Sequence, residues 1–285
     1  MAQPALVYPL DFRGKNPPTP NDHDTWLLAQ GDSWFSFGSL IPWHTTSILM
    51  HLDLDKDVGI LNCAFPGKEL LDMVSPNKSQ DFYQALTLQG GFNWRAVLLS
   101  GGGNDLIDSL QRDSNQPAAN RLLLTPAEQN GDIAGPARYV SPAGLQSLHN
   151  QMRSNLATLA GWVKQRRPNA TIISHTYDYT MPRPLGPGLS LDKEGWLFPS
   201  YQKYAVPAED QFELTRFLMD QTAQVMLDAS GQNGDFVVVD TRGTLVPATY
   251  GSTSPSADWE NEIHPTPSGY AKLALKWNDV LKKHI

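Results

Sequence analysis

Cysteine is almost missing from this chain: one, Cys63, stands among 285 residues, so no internal disulfide can hold the fold. Long apolar runs are missing too. No stretch approaches the ~18 residues that a spanning helix needs, and Met1 to Lys15 shows no basic start followed by an apolar segment. The expectation is a cytoplasmic protein without stable membrane insertion, although export by a route that reads no N-terminal signal would look the same. Positive charge is also short, with 22 Lys and Arg against 29 Asp and Glu. A net charge of -7 lacks the basic footprint that nucleic acid requires.

Several signatures are absent as well. There is no His-Glu-x-x-His, no cysteine pair and no Walker-type glycine loop. Asp53, Asp55 and Asp57 alternate like the start of an EF-hand, but Val58 stands where its loop glycine belongs and Ala64 where its closing glutamate belongs. No metal and no cofactor are expected. The missing Gly-x-Ser-x-Gly elbow separates the chain from the α/β-hydrolase fold.

What is present is an ordinary globular composition, 40% hydrophobic and 18% charged. Five short apolar runs recur: Trp26-Ala29, Val58-Cys63, Ala96-Ser100, Thr171-Ser174 and Phe236-Val239. Unalternated runs such as Phe236-Val237-Val238-Val239 suit strands covered on both faces, and the stretches between them are long enough for helices. Ser141-Pro142 caps the clearest helix, with Leu145, Leu148, Met152, Leu156, Leu159 and Val163 as its buried stripe. Thr266-Pro267 starts a second, carrying Tyr270, Leu273, Ala274, Trp277, Val280 and Leu281, and a third runs from about Ala208 to Ala229 with Phe212, Leu218, Val225 and Leu227 inward. The pattern predicts one α/β domain over residues 1–285, with long loop insertions at about 107–139 and 180–207. Within the second insertion the aromatic cluster Trp196, Phe198, Tyr201 and Tyr204 reads as a lid or binding element.

The chemistry-bearing residues sit at strand ends. The first strand runs into Gly31-Asp32-Ser33-Trp34, the second into Phe65-Pro66-Gly67, and the third into Ser100-Gly101-Gly102-Gly103-Asn104-Asp105. Each would lie at the carboxyl edge of the sheet, where open α/β sheets place their sites. Taken alone, Gly-Asp-Ser is what any strand-to-helix turn would use. His264 follows much later in Glu262-Ile263-His264-Pro265, before the last helix. His175 and Tyr177, after the fourth strand, face the same edge and divide between plain strand-end polarity and a substrate-lining role; Trp34 and Trp196 are further candidates to line a pocket. Phe35 and Phe37 read as partly core.

In this order the motifs resemble those of the SGNH hydrolases, also called GDSL esterases and lipases, over nearly the whole chain. Gly31-Asp32-Ser33 matches the first block, Gly67 the second, Gly102-Gly103-Asn104-Asp105 the third and His264 the fifth. The resemblance implies a three-layer α/β/α flavodoxin-like sandwich with a five-stranded parallel sheet. It implies hydrolysis of a small-molecule or lipid carboxylic ester through an acyl-serine, with Ser33 as nucleophile and His264 as general base. The oxyanion would be held by the backbone N–H groups of Ser33 and Gly67 and the Asn104 side chain. Asp105 reads as a structural cap. One departure stands out: the family's aspartate three positions before the histidine is Asn261 here, with Glu262 as runner-up for that slot, and Asp258 and Glu260 also near. Carbohydrate O-acetyl removal, acyl transfer on the same machinery, or a non-catalytic ligand-binding domain that has kept the fold are the alternatives.

Overall fold

A computed structural model describes residues 2–36, 46–88, 91–129, 131–187, 194–232 and 235–285. Phe37 and six residues of the second long insertion (188–193) lie outside them. Six parallel strands form one sheet: β1 (Ala5–Val7), β2 (Thr25–Gly31), β3 (Val58–Asn62), β4 (Trp94–Ser100), β5 (Thr171–His175) and β6 (Phe236–Val239), in spatial order β1-β3-β2-β4-β5-β6. The sequence predicts five of them. The sixth, β1, is a three-residue edge strand paired with β3, too short to show any period.

Both faces of the sheet are covered, and side-chain alternation along each strand explains the continuous apolar runs. Trp26, Leu28, Val97, Leu99 and Ile172 enter one core, whereas Leu27, Ala29, Ala96, Leu98 and Ile173 enter the other. The first core is closed by α2 (Leu70–Met73), α3 (Gln80–Thr87), α4 (Gly103–Gln111), α5 (Pro142–Arg166), α6 (Phe198–Lys203) and α7 (Ala208–Gln232). The second is closed by α1 (Ser33–Ser36) and α8 (Pro267–His284). This is the expected three-layer α/β/α arrangement.

Both predicted caps form: Ser141 Oγ accepts the Gly144 N–H and Thr266 Oγ1 the Gly269 N–H, each at 3.1 Å. The α7 stripe differs in detail, since Leu214, Leu218, Val225 and Met226 are buried while Phe212 and Leu227 are only half-buried. The first predicted insertion is no free loop. Its start extends α4, and its end is stitched down by Leu124 N–H to Tyr139 O (2.8 Å) and Ser141 N–H to Leu122 O (2.9 Å). In the aromatic segment Tyr201 and Tyr204 are buried, their hydroxyls bonded to Thr215 Oγ1 (3.0 Å) and Arg112 O (2.8 Å), while Trp196 and Phe198 are half-buried.

After β2 the chain passes to β3 on one side and then returns to β4 on the other. The crevice above the carboxyl ends of β2 and β4 is therefore a topological switch point.

Candidate active site

Ser33 begins α1 at that crevice, directly after β2. Its Oγ lies 2.9 Å from His264 Nε2, across 231 residues of sequence. Nδ1 of the same ring lies 3.0 Å from Asn261 Oδ1, which also accepts the backbone N–H groups of Ile263 (3.1 Å) and His264 (2.9 Å). An amide oxygen only accepts, so Nδ1 carries the ring proton and Nε2 is left to receive one from Ser33. Burial of the imidazole pulls its pKa down to about 3.

The histidine loop is clasped by the chain between β5 and α6. The buried Arg183 guanidinium donates to Asn261 O (2.7 Å), Trp259 O (3.1 Å) and Ser254 O (2.6 Å). Glu262 does not face His264. Its carboxylate accepts four backbone N–H groups, from Arg183 (3.1 Å), Leu197 (2.8 Å), Phe198 (2.8 Å) and Trp196, and burial raises its pKa to about 7. Asp258 is bound to Lys272 at 2.6 Å. Among the sequence candidates for the acid slot, only Asn261 reaches the ring.

Asn104 stands at the start of α4, after a glycine turn that the packing demands. Gly102 has φ +106°, and a Cβ on Gly103 would sit 3.0 Å from the Tyr177 ring. Asn104 Nδ2 donates to Lys68 O (3.1 Å), and Asp105 Oδ2 accepts the Leu70 N–H (3.0 Å). Two neighbouring residues thus clamp the turn that carries Gly67 (φ +78°), and Asp105 is the structural residue the sequence suggests. The backbone N–H groups of Ser33 and Gly67 donate to no acceptor among the described residues.

Beneath Ser33 lies a polar network that the motifs alone do not reveal. Asp32 Oδ1 accepts the Trp34 N–H (3.0 Å) and the Ser100 hydroxyl (2.8 Å), and Oδ2 accepts the Tyr177 hydroxyl. Ser100 Oγ also lies 2.9 Å from His175 Nε2, and His175 Nδ1 donates to Thr176 O at 2.7 Å. His175 is 0% exposed and stacked on Trp34 and Phe35. It is a core residue, so a substrate-lining role for His175 is overturned. The cause is the strand register, which points the ring inward while the loop beyond it faces the crevice.

Ser33, Trp34, Asn104 and Tyr177 line one pocket with Ile107, Leu197, Met219 and Ile263, and its wall is mostly apolar. Trp196 stands edge-on to His264, with ring centroids 5.4 Å apart. The lining residues of α7 and Ile107 gave no sequence signal, being ordinary members of apolar helices.

Comparison with solved structures agrees with this architecture. An extracellular lipase from Streptomyces rimosus superposes with a TM-score of 0.50 at 14% identity, covering 92% of this chain and 100% of its own. A possible lipase from Chitinophaga pinensis gives 0.52 at 14%, covering 91% and 98%. A lipase from a goat rumen metagenome gives 0.50 at 13%, covering 90% and 96%. The chain has the SGNH hydrolase fold. No family model matches the sequence and no curated protein matches it, so the likeness lies in the SGNH architecture and not in overall sequence. Among the described residues no helix is long and apolar enough to cross a membrane, and no group of three His, Cys, Asp or Glu could hold a metal ion.

Proposed function

We propose that this protein is a serine esterase of the SGNH type, hydrolysing a carboxylic ester with an apolar acyl group. The observation that carries the reading is the Ser33 Oγ to His264 Nε2 approach of 2.9 Å, with the ring's far side held by Asn261. Ser33 Oγ attacks the ester carbonyl carbon while its proton passes to His264 Nε2. Negative charge grows on the carbonyl oxygen, opposite the N–H groups of Ser33 and Gly67 and the second N–H of the Asn104 amide. Collapse breaks the bond to the alcohol oxygen, which takes the proton from His264. Water then attacks the acyl-serine by the same steps, releasing the acid and restoring Ser33.

Asn261 supplies orientation without a full charge, so what it offers the imidazolium formed in each step is a dipole. The apolar pocket beside Ser33 favours an acyl chain over an acetyl group on a sugar. Lipases among the proteins of this fold agree with that choice. The test is hydrolysis of para-nitrophenyl esters of increasing chain length by wild type and Ser33→Ala. Serine-dependent release and covalent labelling of Ser33 by a fluorophosphonate are expected. No release on any chain length would leave a ligand-binding domain, and labelling of another serine would redirect the scheme.

A further inference from the structure

A groove of about 790 Å³ lies beyond the Gly67 turn, at the carboxyl ends of β1 and β3. Lys68 is among its lining residues, and Lys68 O is the group that holds the Asn104 amide. The groove therefore begins one residue from the proposed oxyanion donors. Its wall is mixed, in contrast to the apolar pocket on the Ser33 side. Leu10 and Phe65, 73% and 61% exposed, form an apolar rim.

The ions of this groove are satisfied, with one clear exception among its cations. Lys78 pairs with Asp72 at 2.5 Å and Asp81 with Arg13 at 3.3 Å, and Asp11 accepts the Tyr8 N–H at 2.7 Å. Lys68 Nζ is half-buried and reaches only the Ser79 hydroxyl, at 3.1 Å, with no carboxylate in ion-pair range among the described residues. Ser79 Oγ is already engaged, accepting from Gln30 Nε2 (2.9 Å) and donating to Asp72 O (2.9 Å). An ammonium has three donors, so two of them are left without an acceptor among the described residues. Partial burial of that charge lowers the Lys68 pKa, a cost that an anion in the groove would remove.

We propose that this groove receives the alcohol portion of an ester whose alcohol carries an anionic group, with Lys68 as its counter-ion and Leu10 and Phe65 covering its carbon skeleton. The inference rests on the esterase reading: the acyl group enters the apolar pocket and the leaving alcohol extends the other way, past Gly67. Phosphate and carboxylate share the required chemistry, and the experiment separates them.

Acyl esters of glycerol phosphate and of para-hydroxybenzoate are compared with neutral counterparts, the esters of glycerol and para-hydroxybenzamide, all sharing one acyl chain. Wild type should prefer an anionic ester in kcat/KM by about tenfold, the size of one charge-assisted hydrogen bond. Lys68→Met should abolish that ratio, while Lys68→Arg, which keeps the charge, should retain most of it. The arm with the larger ratio identifies phosphate or carboxylate. Equal rates on anionic and neutral esters, or a preference that survives Lys68→Met, would overturn the proposal while Ser33-dependent cleavage of neutral esters kept the esterase reading intact. If no ester is cleaved, calorimetric titration with glycerol phosphate and para-hydroxybenzoate decides: absence of Lys68-dependent binding to both sinks it.

Discussion

Asn261 Oδ1 lies 3.0 Å from His264 Nδ1, in the place where a carboxylate would hold the ring by charge as well as geometry. Replacing it by aspartate should place a full negative charge against the imidazole, raising the histidine pKa by roughly 1–3 units. Since the neutral ring is the base, the wild-type acid limb of kcat/KM should fall well below the ordinary histidine value, the direction that burial dictates. In Asn261→Asp that limb should move upward toward neutrality. A pH profile of both proteins checks this, and coincident acid limbs would remove Asn261 from contact with the working base.

Asn104→Ala should lower kcat by roughly 10²–10³ with a smaller change in KM, because the amide is proposed to meet the oxyanion more than the bound ester. The variant also loses the 3.1 Å bond to Lys68 O. A KM effect larger than the kcat effect would assign the residue to loop anchoring alone.

Ser100 Oγ donates to Asp32 Oδ1 at 2.8 Å and lies 2.9 Å from His175 Nε2 and 3.3 Å from the Tyr177 hydroxyl. His175 donates from Nδ1 to Thr176 O, so its neutral ring has no proton on Nε2. Burial pushes the Asp32 pKa up to about 6, although its carboxylate accepts from Ser100, Tyr177 and the Trp34 N–H. One component of the protonated-carboxyl infrared absorption should fade as pH rises through about 6 and be missing in Asp32→Asn, while the components of Glu262 and Asp105 persist to about 7. Persistence of the first component in that variant would assign it elsewhere.

Buried acids also set the stability profile. Burial raises Glu262 and Asp105 to about 7 and Asp32 to about 6, so the fold favours their protonated forms. Their contribution is fully present below the unfolded values and is lost as pH rises through 6 to 7. His175 and His264, lowered to about 4 and about 3, work in the other direction, losing stability as pH falls below the unfolded value of about 6.5. The acids act alone above that point. Tm should therefore rise on going from about pH 8.5 to about pH 6.5, each acid contributing at most about 1.4 kcal/mol per pH unit. Glu262→Gln should flatten the slope and leave turnover nearly intact, since its carboxylate faces backbone N–H groups and not the histidine. A Tm that is level over this range would contradict the burial of these acids.

Periodicity made the long elements legible. The α5 stripe from Leu148 to Val163 is buried as its spacing predicts, because a helix repeats its inward face every three or four residues. Strands β2 to β6 were visible because two-sided burial selects unbroken apolar runs. β1 was not, since three residues carry no period. Ser33 and His264 were legible as strand-end and pre-helix motifs, whereas His175, also at a strand end, turned into the core. Distance along the chain from a strand end does not say which way a side chain points.

Local chemistry in the chain thus determined the elements, their caps, and the residue types offered at the sheet edge. Which of those residues meet was decided by the strand order, which brings the ends of β2 and β4 together, and by Arg183 and Glu262 fastening the histidine loop. The choice of Asn261 over Glu262 at the ring belongs to that second class. Glu262 is adjacent in sequence to Asn261, but four backbone N–H groups claim its carboxylate. Only packing across distant segments brings those donors to it.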